Sequence, residues 1–409
     1  MTRVVVVGSG GREHALADVL GRTASEVLVT PGNPGIPGSV TTPATELEAD
    51  LFVIGPEVPL VEGLADELRA QGKLVFGPGA DGAQLEGSKA WMKDLFVAAG
   101  VPTAAHGSFT EAAPALAFLD TMTEPFVIKT DGLAAGKGVL VTNDRAEAEA
   151  TVHDYLSGDA FGTAGSTIVI EEGLTGPEVS VFAVCDGTKA VALAPAQDHK
   201  RALDNDEGAN TGGMGAYTPL PWADAGLVDM VMRDAIEPTL GELRNRGIDY
   251  RGVLYAGLML TPSGPKMLEY NVRFGDPETQ VVLPRITSDL VQLLSEAAAG
   301  NIESTPTFSD DAFVIVVCAS EGYPASPRTG DVIQGVGNAR ELAGVSVYAA
   351  GVKTNDADEL ITGGGRVLNV VGRGSSVDQA IERAYEGVAA ISWPGMHYRT
   401  DIASQAKES

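Results

Sequence analysis

The sequence predicts a multidomain protein of α/β and α+β class: an N-terminal doubly wound parallel sheet, a central region of antiparallel strands, and a small C-terminal α+β unit. Three observations carry that reading. Over residues 1–100, short β-branched strands alternate with helices, each strand ending in a Gly/Pro loop, which is the pattern of an open parallel sheet. Residues 125–141 and 254–272 read as strand–turn–strand units. A polar linker, NIESTPTFSDD (301–311), then precedes a new apolar strand, AFVIVVCAS (312–320). At 409 residues the chain is too long for one compact core.

RVVVVG (3–8) is a buried strand, and SGGREHALADVL (9–20) is a glycine turn opening into a helix, with Ala15, Leu16, Val19 and Leu20 at helical spacing. EVLVTPGN (26–33), DLFVIGPEVPL (50–60) and KLVFGPG (73–79) repeat the strand-then-loop pattern. In open α/β sheets ligands sit at those carboxyl-terminal loops. The turn GSGG (8–11) lacks the dinucleotide fingerprint, because its third glycine comes too early. It sets free N–H groups and Arg12 at a helix N-terminus, which suits a phosphate. A plain tight turn is the other reading.

SKAWMKDLFVAAGVPT (88–103) is a helix capped by Ser88 and stopped at Gly100, with Met92, Leu95, Phe96 and Ala99 as its apolar stripe. Lys89 falls in the first turn, where a cation opposes the helix dipole. That placement is useful if the lysine meets a phosphate and is otherwise a tolerated surface lysine.

In PFVIKTDGLAAGKGVLV (125–141) a strand carries Lys129, a loop with Gly132, Gly136, Lys137 and Gly138 follows, and GVLV resumes as a strand. No helix follows the GK pair, so this is not the Walker pattern. It reads as a flap closing over a triphosphate or as an ordinary glycine-rich hairpin. Lys129 favours the flap, since its strand neighbours are apolar and a lysine there needs an anion.

TIVIEEGLTGPEVSVFAVCDGTKAVALAP (167–195) reads as three antiparallel strands, with Glu171 and Glu172 ending the first and Glu178 opening the second. AQDHKRALDNDEGANTGGMGAY (196–217) is too polar and glycine-rich for core and reads as a long functional loop. His199, beside Asp198, Lys200 and Arg201, reads as part of a charged constellation rather than a satisfied core histidine, without metal-ligand spacing.

Residues 227–246 and SDLVQLLSEAAAG (288–300) are helical, and between them lies the stretch with the most chemistry, MLEYNVRFGDPETQ (267–280). Alternation along its strand puts Glu269, Asn271 and Arg273 on one face and Leu268, Tyr270 and Val272 on the other. An acid, an amide and a guanidinium together suit Mg²⁺ and a polyphosphate, or else form a solvated face with a Glu–Arg pair. The C-terminal unit has short strands, a glycine turn at GGGR (363–366) and a last helix with Ser376 and Gln379 as a capping box, lined by Val377, Ile381, Ala384, Val388 and Ile391. It shows no chemistry of its own.

Composition narrows the class of function. Hydrophobic residues make up 44% and charged residues 20%, an ordinary globular balance. The formal net charge of −27 argues against nucleic acid or an anionic membrane as partner, so an anionic substrate needs a locally basic pocket. Cys185 and Cys318 lie in apolar strands and read as buried thiols, without a disulfide framework. No 18-residue apolar run occurs, and the apolar part of MTRVVVVGSGG is too short for a signal peptide. A cytoplasmic enzyme is the expectation.

The motifs GSGGREHA, PGN, GPEVPLV, LEGSKAWMK, IKTDGLAAGKGV, QDHKR, NTGGMGAYTP, LYAGLM and EYNVRFGDPETQ, in that order from residue 3 onward, resemble the glycinamide ribonucleotide synthetase family of ATP-grasp ligases. QDHKR and NTGGMGAY separate this family from its carboxylase and formate-using relatives. Thr130, Ala209 and Tyr270 stand where alanine, proline and phenylalanine are usual, and none removes a charged group. The resemblance implies a substrate-binding α/β domain at 1–100. It implies an ATP-grasp domain of two antiparallel sheet subdomains at 101–303, with a flap at about 118–185, and a C-terminal domain at 304–409.

It further implies ATP-dependent ligation of glycine to 5-phosphoribosylamine through glycyl phosphate, by a monomer. Mg²⁺ or Mn²⁺ would sit on Glu269 and Asn271. Lys89, Lys129, the 132–138 loop and Arg273 would face the phosphates, adenine would lie near Glu172 and Leu174, and Glu178 would accept from the ribose. Gly10, Gly11, Arg12, Gly32, Asn33 and Glu57 would hold phosphoribosylamine, and Asp198 with Arg273 would clamp glycine. Two alternatives stay open: a related ligase using another acid or amine, and a catalytically silent nucleotide-binding module.

Overall fold

The structure, a computed structural model, describes residues 2–133, 138–157 and 166–407. Its N-terminal sheet is the expected parallel one, with strand order Glu26–Pro31, Arg3–Gly8, Leu51–Ile54, Val75–Phe76. Parallel neighbours need crossover connections, and the helix Gly11–Leu20 makes the first of them. Val4, Val5 and Val6 are fully buried, which is why this strand reads as one apolar run rather than an alternation.

A second, four-stranded antiparallel sheet has the order His106–Phe109, Ile168–Glu172, Phe126–Thr130, Val139–Thr142. The helices Ala112–Leu119 and Arg145–Leu156 pack on it. Together they enclose a separate small core that includes Leu119, Ile128, Val152 and Ile170. A third sheet, also antiparallel, is ordered Ala190–Ala192, Glu178–Asp186, Arg251–Thr261, Gly264–Asn271.

The expectation of three antiparallel strands over 167–195 is therefore corrected. Ile168–Glu172 and Glu178–Asp186 belong to different sheets, and the chain crosses between them. Gly176 makes that crossing possible: its φ is +147°, and a Cβ there would stand 2.1 Å from the Leu260 carbonyl oxygen. Local alternation marks a strand but not its partner.

The region 196–217 is also not a structureless loop. It contains Gln197–Asp198, the small ribbon Arg201–Leu203 with Glu207–Asn210, and Gly215–Thr218. Gln197–Asp198 and Gly215–Thr218 extend the C-terminal sheet, whose order continues through Ala312–Ala319, Arg366–Gly374 and Val345–Ala349. The last helix, Val377–Ala389, packs on this sheet and buries Ala380, Ala384, Gly387 and Val388. Its cap is slightly offset from the expected box: Ser376 Oγ accepts from Gln379 N–H at 3.3 Å, while Gln379 Oε1 accepts from the N–H of Ser375.

Ser88 caps the helix Lys89–Ala99 as expected, accepting from Trp91 N–H, and Gly100 ends it in the left-handed region. Residues 227–245 form one helical run with a π turn at Met232–Ile236. Both cysteines are buried and free. Among the described residues no helix is long and apolar enough to cross a membrane.

Candidate active site

The strand Gly264–Asn271 brings the site together. A bulge at Leu268 shifts the register, since Gly257 faces Glu269 while Leu258 faces Met267. Beyond it the alternation holds: Tyr270 and Val272 are buried, and Glu269, Asn271 and Arg273 lie on the partly open face.

Arg273 is held from several sides. Its Nη2 donates to Glu86 Oε1 at 2.8 Å and to Asn271 Oδ1 at 2.9 Å, its Nε donates to Glu57 Oε2 at 3.2 Å, and its Nη1 reaches the Phe274 carbonyl at 3.3 Å. Burial works to deprotonate this guanidinium, but Glu86 and Glu57 outweigh it and its pKa moves up. Burial would raise the pKa of Glu57, yet Arg273 and Arg12 hold it low. Glu86 goes the other way, because its burial and the nearby Glu57 and Glu269 prevail over Arg273. Glu86 also accepts the Val272 N–H at 2.8 Å, fixing the chain just past the strand.

Two of the lysines gather on Glu171, and a third binds the loop that follows Lys129. Lys129 Nζ forms an ion pair with Glu171 Oε1 at 2.9 Å, and Lys93 Nζ pairs with Oε2 of the same carboxylate at 3.0 Å. Burial lowers the Lys129 pKa, but Glu171 and Glu269 overcome it and leave the lysine firmly protonated. Lys93 is fully buried and pushed down to about 8, with Glu171 opposing the effect of burial. Lys89 donates to the Gly132 carbonyl at 2.9 Å; its pKa is lowered by burial, against the pull of Glu269. Three lysines and Glu269 thus share one electrostatic neighbourhood. Gly132 takes φ +84°, and Gly138 accepts the Thr130 N–H at 2.8 Å. Gly136 and Lys137 lie outside the described residues.

Glu172 accepts from Lys266 at 3.2 Å and from Ala105 N–H at 3.3 Å, and Leu174 is half-buried in the crossing between the two antiparallel sheets. Glu178 pairs with Lys200, whose Nζ also lies 3.8 Å from Asp198 Oδ1. Burial, with Glu278 and Glu178 nearby, pushes the Asp198 carboxyl up to about 7 despite Lys200. Glu278 is buried and accepts from Tyr255 Oη at 2.5 Å.

At the N-terminal loops, Glu13 fills the space between the strand ends, and a Cβ on Gly55 would stand 2.0 Å from its Oε1. Its carboxylate accepts the Gly10 N–H at 2.6 Å and Arg12 Nε at 2.6 Å. The expectation of free N–H groups at this turn is corrected for Gly10. Arg12 is buried and also donates to the Phe274 carbonyl at 3.1 Å, so the N-terminal helix reaches the segment just past the strand Gly264–Asn271. Asn33 donates to the carbonyls of Ser9 at 2.8 Å and Ala350 at 3.0 Å, while Gly32 takes φ +60° and its N–H binds the Gly8 carbonyl. Gly11 makes room for Asn369, whose Nδ2 would stand 1.8 Å from a Cβ and would have to move.

Sequence reasoning missed Glu86, Lys93, Glu171 and Arg366 as site residues. Glu86 and Lys93 lie inside LEGSKAWMK, and the signal that could have found Lys93 is its helical phase with Phe96. Arg366 stood only as the end of a glycine turn. The reading of His199 is corrected. It is 3% exposed, its Nε2 accepts the Ala403 N–H at 3.1 Å, and burial together with Arg399 pushes its pKa down to about 4. It is a satisfied core histidine; the residue it caps is 204 positions away and invisible to local pattern.

Three family models match the chain in order: the phosphoribosylglycinamide synthetase N domain over residues 2–86, its ATP-grasp (A) domain over 87–279, and its C domain over 313–405. The phosphoribosylamine–glycine ligase of Caulobacter vibrioides is 49% identical over 98% of both chains. That of Streptomyces coelicolor is 47% identical and that of Escherichia coli 45%, each over 99% of both chains. The crystal structure of the phosphoribosylamine–glycine ligase of Thermotoga maritima superposes with a TM-score of 0.88 at 33% identity, over 98% of this chain and 100% of that one. A biotin carboxylase from Campylobacter jejuni shares the fold, with a TM-score of 0.70 at 13% identity over 97% of this chain and 93% of its own. Matched along nearly its whole length by the three domain models and by ligases of one activity, this chain belongs to the phosphoribosylglycinamide synthetase family of ATP-grasp ligases.

Proposed function

We propose that these side chains divide the ATP-dependent ligation of glycine to 5-phosphoribosylamine between a nucleotide half-site and an acceptor half-site. A carboxylate is a poor electrophile, so an oxygen of glycine first takes the γ-phosphoryl group, giving glycyl phosphate and ADP. The amine of phosphoribosylamine then attacks the carbonyl carbon. Phosphate leaves with the transferred oxygen, and glycinamide ribonucleotide remains.

The observation that carries this reading is the clustering of three lysines: Lys93 and Lys129 share the Glu171 carboxylate at 3.0 and 2.9 Å, Lys89 binds the Gly132 carbonyl at 2.9 Å, and all three feel the charge of Glu269. An apolar fold holding three cations beside a carboxylate suits a bound polyanion. Lys129 and Lys89 stabilise charge on the transferred phosphoryl group, and Glu171 aims Lys129. Adenine lies at the crossing near Glu172 and Leu174, and Glu178 accepts from the ribose. Arg273, fixed by Glu86 and Glu57, meets the glycine carboxylate and the forming acyl phosphate, while Asp198 faces the glycine ammonium. Gly10, Gly11, Arg12, Gly32, Asn33 and Glu57 bind phosphoribosylamine.

Glu269 and Asn271 fit a hard divalent cation, since both present oxygens on one face. Among the described residues no group of three or more His, Cys, Asp or Glu side chains could hold a metal alone, so phosphate oxygens and water would complete its shell. Mg²⁺ or Mn²⁺, when bound, supplies charge neutralisation for the β- and γ-phosphoryl oxygens. The protein acts as a cytoplasmic monomer on small molecules, and its net charge of −27 disfavours nucleic acid and anionic membrane as partners.

The test is ADP release with each substrate omitted in turn. Full turnover is expected only when glycine and freshly made phosphoribosylamine are both present. Turnover with another acid or amine instead would point to a related ligase, and nucleotide binding without turnover to a silent module.

A further inference from the structure

The C-terminal unit carries no motif of its own, yet one of its side chains reaches two loops of the central region. Arg366 begins the strand Arg366–Gly374. Its Nη1 donates to the Gly212 carbonyl at 2.7 Å, to the Gly213 carbonyl at 3.4 Å and to the Asp276 carbonyl at 2.8 Å, and its Nη2 donates to Asp276 Oδ2 at 2.9 Å. A planar guanidinium suits such a task, because its donors are fixed in one fork. A lysine, with one compact charge, cannot span both loops. Tyr323 of the same unit accepts the Gly212 N–H at 3.3 Å. Gly212 leaves room for this contact, since a Cβ there would stand 3.1 Å from Arg366 Cζ.

Asp276 stands at the acceptor half-site. A Cβ on Gly10 would lie 3.8 Å from its Oδ2, and its Oδ1 accepts from Gln280 at 2.7 Å. Burial would protonate this carboxyl, but Arg366 and then Arg12 keep it ionised. Its backbone follows Arg273 and Phe274, whose carbonyl Arg12 holds. Displacing residues 275–277 would therefore disturb the Gly10–Arg12 turn and Arg273 together.

We propose that Arg366 is a positioning residue for the acceptor half-site: from the C-terminal unit it clamps the Gly212–Gly213 loop to Asp276 and so shapes the seat of a sugar-phosphate amine. This rests on the reading that phosphoribosylamine binds at the Gly10–Arg12 turn.

The test compares Arg366→Ala and Arg366→Lys with the intact protein, with Arg373→Ala as control. Arg373 lies on the same strand and pairs with Asp311, away from these loops. Arg366→Ala is expected to lower kcat/KM for phosphoribosylamine by ~30- to 100-fold, the scale of an ångström-level misplacement. KM for ATP should stay within about twofold, and added guanidinium ion should restore part of the loss. Arg366→Lys should show the same split with a smaller loss and decides the matter if the alanine variant does not fold. Arg373→Ala should be unchanged. An equal loss for ATP and for the amine, or normal kinetics in both Arg366 variants, overturns the proposal. Failure of the intact protein to release ADP with glycine and phosphoribosylamine would instead overturn the functional reading beneath it.

Discussion

Nη2 of Arg273 lies 2.8 Å from Glu86 Oε1, joining the segment just past the strand Gly264–Asn271 to the helix Ala80–Gly87. The same carboxylate caps the Val272 N–H through its other oxygen, so it fixes both the guanidinium and the backbone that carries it. Glu86→Gln keeps the size and one acceptor but removes the charge. Turnover is expected to fall by ~10- to 100-fold through a looser Arg273, with a smaller change in the Michaelis constant for ATP. Steady-state kinetics at saturating glycine check this, and unchanged turnover would show that Glu57 alone suffices to hold Arg273.

Glu269 is the only carboxylate on the Glu-x-Asn face of the strand. Glu269→Gln should preserve the fold and cut turnover by at least ~100-fold, as expected for the loss of one preorganised charge stabiliser. Its dependence on Mg²⁺ concentration should shift upward. Near-normal turnover at limiting Mg²⁺ would sink the metal assignment.

In the proposed assignment Arg12 belongs to the acceptor side, and its Nη1 donates to the Phe274 carbonyl just past the strand Gly264–Asn271. Arg12→Ala is expected to raise the Michaelis constant for phosphoribosylamine by roughly ten- to a hundredfold, the effect of losing about 1.5–3 kcal/mol of charge-assisted contact. The constant for ATP should barely move. Weakened ATP binding with the amine spared would make the glycine turn a nucleotide site.

Two buried histidines give a pH dependence of stability. His199 is held down to about 4 by burial and Arg399, and His14 to about 4 by burial and Arg340. Each folded value lies below the unfolded one of about 6.5. Between those values the unfolded chain takes up protons that the native state refuses. Stability is therefore full above pH ~6.5 and falls as the pH drops toward 4, by up to about 3 kcal/mol per histidine. Denaturant melts of the intact protein and of His199→Gln across that window should differ in slope, the variant being flatter. Parallel slopes would mean that His199 is not protonated on unfolding in this range.

What was legible in the sequence follows the range of the interactions. The parallel sheet, the Ser88 cap and the alternation of Glu269, Asn271 and Arg273 depend on residues within a few positions of each other, and each reads correctly from local pattern. The pairing of Ile168–Glu172 with Phe126–Thr130 does not, because strand propensity carries no address for the partner. The same limit explains His199, whose partner is Ala403, and Arg366, whose ligands lie at 212, 213 and 276. Lys93 was hidden by its neighbours, since a lysine on a helix reads as surface until its tertiary partner, Glu171, is known.

In the proposed function the glycine carboxylate is activated by phosphoryl transfer before the amine attacks. Glycine labelled with ¹⁸O in both carboxyl oxygens, turned over with ATP and phosphoribosylamine, tests it directly by mass analysis of the released phosphate. One labelled oxygen is expected in each phosphate and one retained in the product amide. Unlabelled phosphate formed at the same rate as product would contradict it, because the γ-phosphoryl group would then have gone to water rather than to glycine.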